Sequence, residues 1–189
     1  MALLDACVLI RLYKCDALDL LARTIALAAA EHAHGEFAVG GPSTRAALDR
    51  LRVEKRPILP GSKEWNHFVR IRSEFSTVDL GEDQSIAVAL AEAERDNHVP
   101  IVTYDEGATR KARSFGVATV SFLETLAWLV TCELITVEQA SELEARAAAR
   151  DGWRRPPAQA GALADLVEPL RGALEAALEV ARSGGGKRR

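Results

Sequence analysis

The chain has 189 residues, 48% of them hydrophobic and 27% charged, a globular balance that excludes disorder along its whole length. That length suits one domain of ordinary size plus an appendage and is too short for two full domains. Twenty-four Lys and Arg against twenty-seven Asp and Glu leave a net charge of −3. This excludes a protein held to nucleic acid mainly by bulk positive charge, while leaving room for a local basic path.

In chain order, Met1-Ala2-Leu3-Leu4 is an apolar run too short for a helix; it ends at Asp5 and suits a buried strand feeding a helix over 6–12. Leu and Ala recur at helical spacing from Asp16 to Ala30. After a polar break over His32–Glu36, Phe37-Ala38-Val39 reads as a short strand closed by Gly40-Gly41-Pro42. Ser43 then caps a helix running through Leu51. Two prolines and a glycine make 56–63 a loop, and Trp65, Phe68, Val69 and Ile71 predict a short amphipathic helix. Ser76–Leu80 alternates like a strand. Gly81 ends it, and a strong helix over Asp83–Arg95 places Ile86, Ala87, Leu90 and Ala93 on one face. The clearest unit follows: Val99–Tyr104 as strand, Asp105, a basic helix to Phe115, Gly116, a strand over Val117–Val120 and a helix over Phe122–Cys132.

Strands alternating with helices at this pace predict an α/β fold, a three-layer sandwich with a mainly parallel central sheet. Beyond Ile135 only helices are expected: Thr136–Arg150, a break at Arg154-Arg155-Pro156-Pro157, and Ala160–Arg182, bent or split at Pro169. The organisation expected is a domain over 1–134, a helical extension over 135–182 and a flexible tail over 183–189. Leu163, Leu166, Leu170, Leu174 and Leu178 form a stripe along the last helix, to be covered by its own domain, a second copy or a partner protein.

Cys7, Cys15 and Cys132 are an odd, widely spaced set without a CxxC pair, and read as reduced, buried thiols of a cytoplasmic protein. His32, His34, His67 and His98 show no metal-ligand spacing; the first two and His98 read as structural. No apolar run reaches about 18 residues and no basic-then-apolar leader opens the chain, so neither a membrane span nor secretion is expected.

The chemistry lies in acids at element junctions. Asp5 ends the first strand, Asp105 ends the clearest strand, and Asp83, with Glu82 beside it, opens a helix. In a parallel sheet the carboxyl ends of the strands share one edge, where ligand crevices form, so these acids can converge. Converging carboxylates repel one another unless a cation neutralises them, and oxygen-only donors suit Mg²⁺ or Mn²⁺. Such a centre fits phosphodiester cleavage. The competing reading makes Asp83 and Asp105 plain helix caps; Asp5 resists it, since an unpaired charge after a central strand is costly.

Three blocks carry a family resemblance: Leu3-Leu4-Asp5-Ala6-Cys7-Val8-Leu9-Ile10, Gly81-Glu82-Asp83-Gln84-Ser85-Ile86-Ala87-Val88-Ala89-Leu90, and Ile101-Val102-Thr103-Tyr104-Asp105-Glu106 followed by Phe115-Gly116-Val117. In order and spacing, over about residues 1–134, they resemble the PIN domain. The resemblance implies a metal-dependent ribonuclease, often the toxin of a bacterial toxin–antitoxin pair (the VapC type), and often a homodimer. Residue by residue it implies Asp5, Asp83 and Asp105 as catalytic metal ligands, with Glu82 as the second choice beside Asp83.

The family also places an acid, commonly glutamate, on the helix after the second strand. With that helix read from Gly41-Pro42-Ser43, the positions hold Ala46 and Ala47; Asp49 comes late and Glu36 lies on the wrong side of the strand. Asp49 or Glu36 substitutes, or the site runs on three acids, or it is impaired. Arg110 and Lys111 on the helix after Asp105, and Arg45 on the helix near Ser43, are expected to hold substrate phosphates or to form solvated faces. The expected function is a Mg²⁺- or Mn²⁺-dependent endoribonuclease, a toxin with an antitoxin partner and RNA substrate; the alternative is a non-catalytic PIN-like module that binds protein or RNA.

Overall fold

The computed structural model describes residues 1–75, 79–151 and 163–172. The chain divides into two compact units, Met1–Phe122 and Leu123–Arg189.

The first unit is α/β. Its strands are β1 (Ala2–Leu4), β2 (Leu27–Ala30), β3 (Glu54–Arg56), β4 (Ile101–Val102) and β5 (Thr119–Val120), in the spatial order β3-β2-β1-β4-β5. Every neighbouring pair is parallel: Leu3 sits opposite Ala28 on one side and Ile101 on the other, and Ile101 opposite Thr119. Every residue of β1 and β2 is buried. Since successive side chains point to opposite faces, both faces of the sheet centre are covered, as in a three-layer sandwich. Around the sheet lie α1 (Ala6–Lys14), α2 (Leu18–Thr24), α3 (Glu31–Val39), α4 (Pro42–Arg50), α5 (Lys63–Glu74), α6 (Leu80–Ala93) and α7 (Glu106–Ser114).

The strand order fixes where a site can form. The chain steps from β1 to β2 and β3 on one side, then crosses to β4 and β5 on the other. The order therefore reverses between β1 and β4, and the crevice beyond their carboxyl ends is the topological switch point. Asp5 and Asp105 stand there.

Several sequence expectations hold: β1, the helices over 63–74 and 106–114, and the β4-to-β5 unit. The second strand does not. The stretch read as one helix over 16–30 is α2 followed by β2, and Phe37-Ala38-Val39 ends α3 instead of forming a strand. Alanine favours helices in isolation. In Leu27-Ala28-Ala29-Ala30, however, small side chains fill a strand covered on both faces, where no polar alternation marks it. β3 falls inside a charged Glu-Lys-Arg run at the sheet edge. α4 begins on Gly41, at φ 126°, with Pro42 in its first turn, so Ser43 is not its cap. α6 starts at Leu80; of the strand expected over 76–80, residues 76–78 lie outside the described residues, Asp79 caps the helix and Leu80 belongs to it.

In the second unit, α8 (Phe122–Thr131), which opens on the last residue of the first, buries Leu123, Leu126 and Leu129. α9 (Val137–Asp151) buries Ala140, Leu143 and Ala147 at helical spacing. Residues 163–172 are helical through Pro169, with Leu163 buried and Leu166 and Leu170 half-buried. The Pro156-Pro157 break, Leu174, Leu178 and the tail expected over 183–189 lie outside the described residues. Among the described residues no helix is long and apolar enough to cross a membrane.

Candidate active site

Asp5 leaves β1 in extended conformation and caps α1, its Oδ1 accepting the Ala6 N–H at 2.7 Å. Its Oδ2 accepts from the Cys7 thiol at 3.1 Å and from the Thr103 hydroxyl at 3.3 Å. Burial pushes the carboxyl above the usual aspartate range, opposed by these hydrogen bonds and reinforced by the charge of Asp79. Thr103 directly follows β4, and its Oγ1 also accepts the Asp105 N–H at 3.3 Å. Asp105 in turn caps α7 through the Ala108 N–H at 2.8 Å and is exposed. A Cβ on Gly107 would stand 2.8 Å from Asp105 Oδ1, so the bare backbone there leaves the carboxylate its place.

Two further acids enter from elements whose bounds the sequence concealed. α3 follows β2 directly and carries Glu36. Asp79 caps α6, its side chain accepting the Glu82 N–H at 3.1 Å. The point where a Cβ on Gly81 would sit lies 3.4 Å from Asp79 Oδ1, 3.8 Å from Asp5 Oδ1 and 3.8 Å from Glu36 Oε2. Three carboxylates from three separate elements thus face one space, held open by a glycine. Glu82 joins them: with Asp5 and Thr103 it lines a small pocket. Burial, then the charges of Asp79, Asp105 and Asp5, raise its pKa to about 7.

The acids proposed from sequence separate into two groups. Asp5, Asp105 and Glu82 converge on the switch-point crevice. Asp83 does not: it is fully buried, ion-paired with Lys111 and 3.7 Å from Arg72 Nη1. Because α6 starts at Leu80, the 100° step between consecutive helical residues turns Glu82 to the crevice and Asp83 away from it. Asp49 sits exposed on α4, where its charge acts on His34, not on the converging acids. Glu36 occupies the helix after the second strand, the place where the family resemblance expects an acid. Sequence reading missed Asp79, yet Asp79-x-x-Glu82 before an apolar helix is a helix-start signature. Glu36, weighed from sequence as a substitute acid, falls on the wrong side of the second strand in that reading because the strand is displaced.

Of the expected phosphate contacts, Lys111 is engaged by Asp83, Arg110 Nη1 lies 3.6 Å from Glu106 on an exposed face, and Arg45 is exposed on α4. His32, read as structural, stands at the edge of the acids: its backbone N–H donates to Gln84 Oε1 at 2.9 Å and its ring Nε2 is 3.4 Å from Glu36 Oε1. None of the three cysteines is in a disulfide among the described residues, and only Cys15 is buried; Cys7 reaches the surface beside Asp5, and Cys132 is half-buried. Desolvation of the Cys7 sulfur, then the Asp5 charge, holds the thiol protonated.

The chain matches no family model, no curated protein and no solved structure. The site is therefore argued from its own donors. Oxygen-only ligands that repel one another and surround a space without a side chain suit a hard divalent cation. As the side chains stand, no group of three or more His, Cys, Asp or Glu among the described residues encloses an ion. Glu36 is exposed and Glu82 half-buried, so both side chains are free to change rotamer.

Proposed function

We propose that the chain is a Mg²⁺- or Mn²⁺-dependent ribonuclease of PIN-like type, with Asp5, Glu36, Asp79, Glu82 and Asp105 as its acidic centre. The observation that carries this reading is the convergence of Asp5, Glu36 and Asp79 on the space at Gly81, at the switch point of a parallel sheet. A divalent ion bound there supplies charge neutralisation at the phosphate and a water made acidic enough to attack it. Asp5 and Asp79, fixed by helix-cap hydrogen bonds, provide donors that need little reorganisation. Glu36 and Glu82 would adjust to the ion, and Glu82 would hold it as a carboxylate. Asp105, exposed at the start of α7, would add a donor at the solvent-facing side of the crevice.

The biological setting that goes with this reading is a cytoplasmic toxin, acting on RNA, paired with an antitoxin protein and forming a homodimer. A second reading, a non-catalytic module for protein or RNA binding, draws support from the caps. Asp5, Asp79 and Asp105 each satisfy a helix N-terminus and would be retained for that alone. Cleavage of total RNA under Mn²⁺ titration separates the two. The nuclease reading expects cleavage that Asp5→Asn and Glu36→Gln abolish; metal-independent binding without cleavage by the folded chain overturns it.

A further inference from the structure

We propose that Asp83 and Lys111 form a positioning pair that sets the spacing between the acids of α6 and the acid of α7. The inference rests on the metal-centre reading above. Asp83 follows Glu82 and lies within the first turns of α6, while Lys111 lies six residues after Asp105, about 9 Å along α7. Their ion pair is closed in the interior: Asp83 is 0% exposed and Lys111 6%. The Lys111 ammonium also stands 5.2 Å from the centre of the Phe75 ring, an apolar neighbour that keeps water from screening the pair.

Apolar packing between the two helices rests on Ile86 of α6 and Ala112 of α7, which belong to one buried core. The pocket beneath the acids is lined by Ile86 from α6 and by the small Ala108 and Ala112 from α7. Alanine side chains present little relief to a neighbouring helix, so sliding of one helix along the other breaks few contacts. A buried ion pair tolerates much less, since displacement leaves a charge without its partner. Asp83 Oδ2 makes no hydrogen bond, and Arg72 Nη1 lies 3.7 Å from it, so the carboxylate leans on Lys111 for its closest partner. The charge of Lys111 reaches Glu82 and favours its carboxylate; beyond that, the pair acts on Glu82 and Asp105 through the register of their helices, not by touching the ion.

The test replaces the pair by apolar groups, Asp83→Leu with Lys111→Met, in the full chain. Thermal melting in EDTA reports the fold, calorimetry reports Mn²⁺ binding, and RNA cleavage is separated into kcat and KM. Positioning predicts a folded variant whose Mn²⁺ affinity falls about tenfold, with kcat falling more than KM changes. A folded variant that binds Mn²⁺ like the wild type overturns it. If this variant does not fold, Asp83→Glu decides, because it keeps both charges and lengthens the link by one methylene. Weakened Mn²⁺ binding by folded Asp83→Glu supports the inference and unchanged binding overturns it. Absence of Mn²⁺ binding by the wild type overturns the metal-centre reading and this inference together.

Discussion

Thr103 Oγ1 donates to Asp5 Oδ2 and accepts the N–H of Asp105, both at 3.3 Å, so one hydroxyl ties the acid after β1 to the acid after β4. The two strands are neighbours in register, Leu4 opposite Val102, which brings the residue one step beyond Val102 level with Asp5. Thr103 is 2% exposed. The hydroxyl therefore satisfies a desolvated carboxylate and fixes where it points.

Thr103→Val keeps the shape and removes the link. It leaves the Asp105 N–H and one lone pair of Asp5 without their partner, at a cost of about 1–3 kcal/mol. Mn²⁺ affinity should fall about tenfold, as for losses of groups that orient metal ligands. Thr103→Ser should restore most of both. Calorimetric titration of the three proteins checks this, and equal affinities would show that the hydroxyl does not orient Asp5.

Gly81→Ala separates stability from function. Gly81 is helical and buried, and a Cβ there meets oxygen atoms no closer than 3.4 Å, an ordinary contact. Alanine should gain up to about 1 kcal/mol from reduced freedom of the unfolded chain. The same methyl fills the space between Asp5, Glu36 and Asp79. The expected outcome is a metal-free protein at least as stable as wild type that has lost Mn²⁺-induced stabilisation. Retained stabilisation would place the ion elsewhere.

What the sequence disclosed follows from how each acid is marked. Asp5 and Asp105 end apolar runs, and a charge closing a buried strand is visible without a structure. Glu36 is not, because its position depends on β2, and Leu27-Ala28-Ala29-Ala30 lacks the alternation that identifies a half-covered strand. Placing that strand at 37–39 moved the following helix to α4 and produced an apparent gap at Ala46 and Ala47. The choice between Glu82 and Asp83 turned on the phase of one helix. A start at Leu80, set by the Asp79 cap, determines which of two adjacent acids faces the crevice.

The metal-free protein should lose stability as pH rises through the range that Glu82 spans. Its pKa is raised from 4.5 to about 7 in the folded chain, with burial as the main cause. Below pH 4.5 both folded and unfolded states hold the proton. Between that value and about 7 the folded state holds more protons than the unfolded one, so stability decreases with rising pH and then levels. Asp5, also raised, contributes with the same sign from its ordinary value of 3.8 upward. Urea unfolding in EDTA across this range, wild type minus Glu82→Gln, should isolate the Glu82 slope. A difference that does not vary with pH would show that Glu82 titrates normally.

Asp83→Asn and Glu36→Gln should fail in opposite ways. Glu36 has a side chain 51% exposed and a histidine 3.4 Å away, so its amide costs little stability. It does remove a charged donor, and Mn²⁺ should no longer stabilise the fold through preferential binding to the native state. Asp83 is sealed between Lys111 and Arg72. Its neutralisation leaves the Lys111 ammonium buried opposite an amide, and losing one partner of a buried pair typically costs about 3–5 kcal/mol. That is a large share of the roughly 5–15 kcal/mol that holds a domain folded. Asp83→Asn should therefore lower the urea midpoint strongly in EDTA, before any metal is added, whereas Glu36→Gln should leave that midpoint near wild type and abolish only the Mn²⁺ increment. If Asp83→Asn instead unfolds like wild type in EDTA and loses only the increment, Asp83 is a metal ligand, and α6 turns that residue, not Glu82, toward the ion.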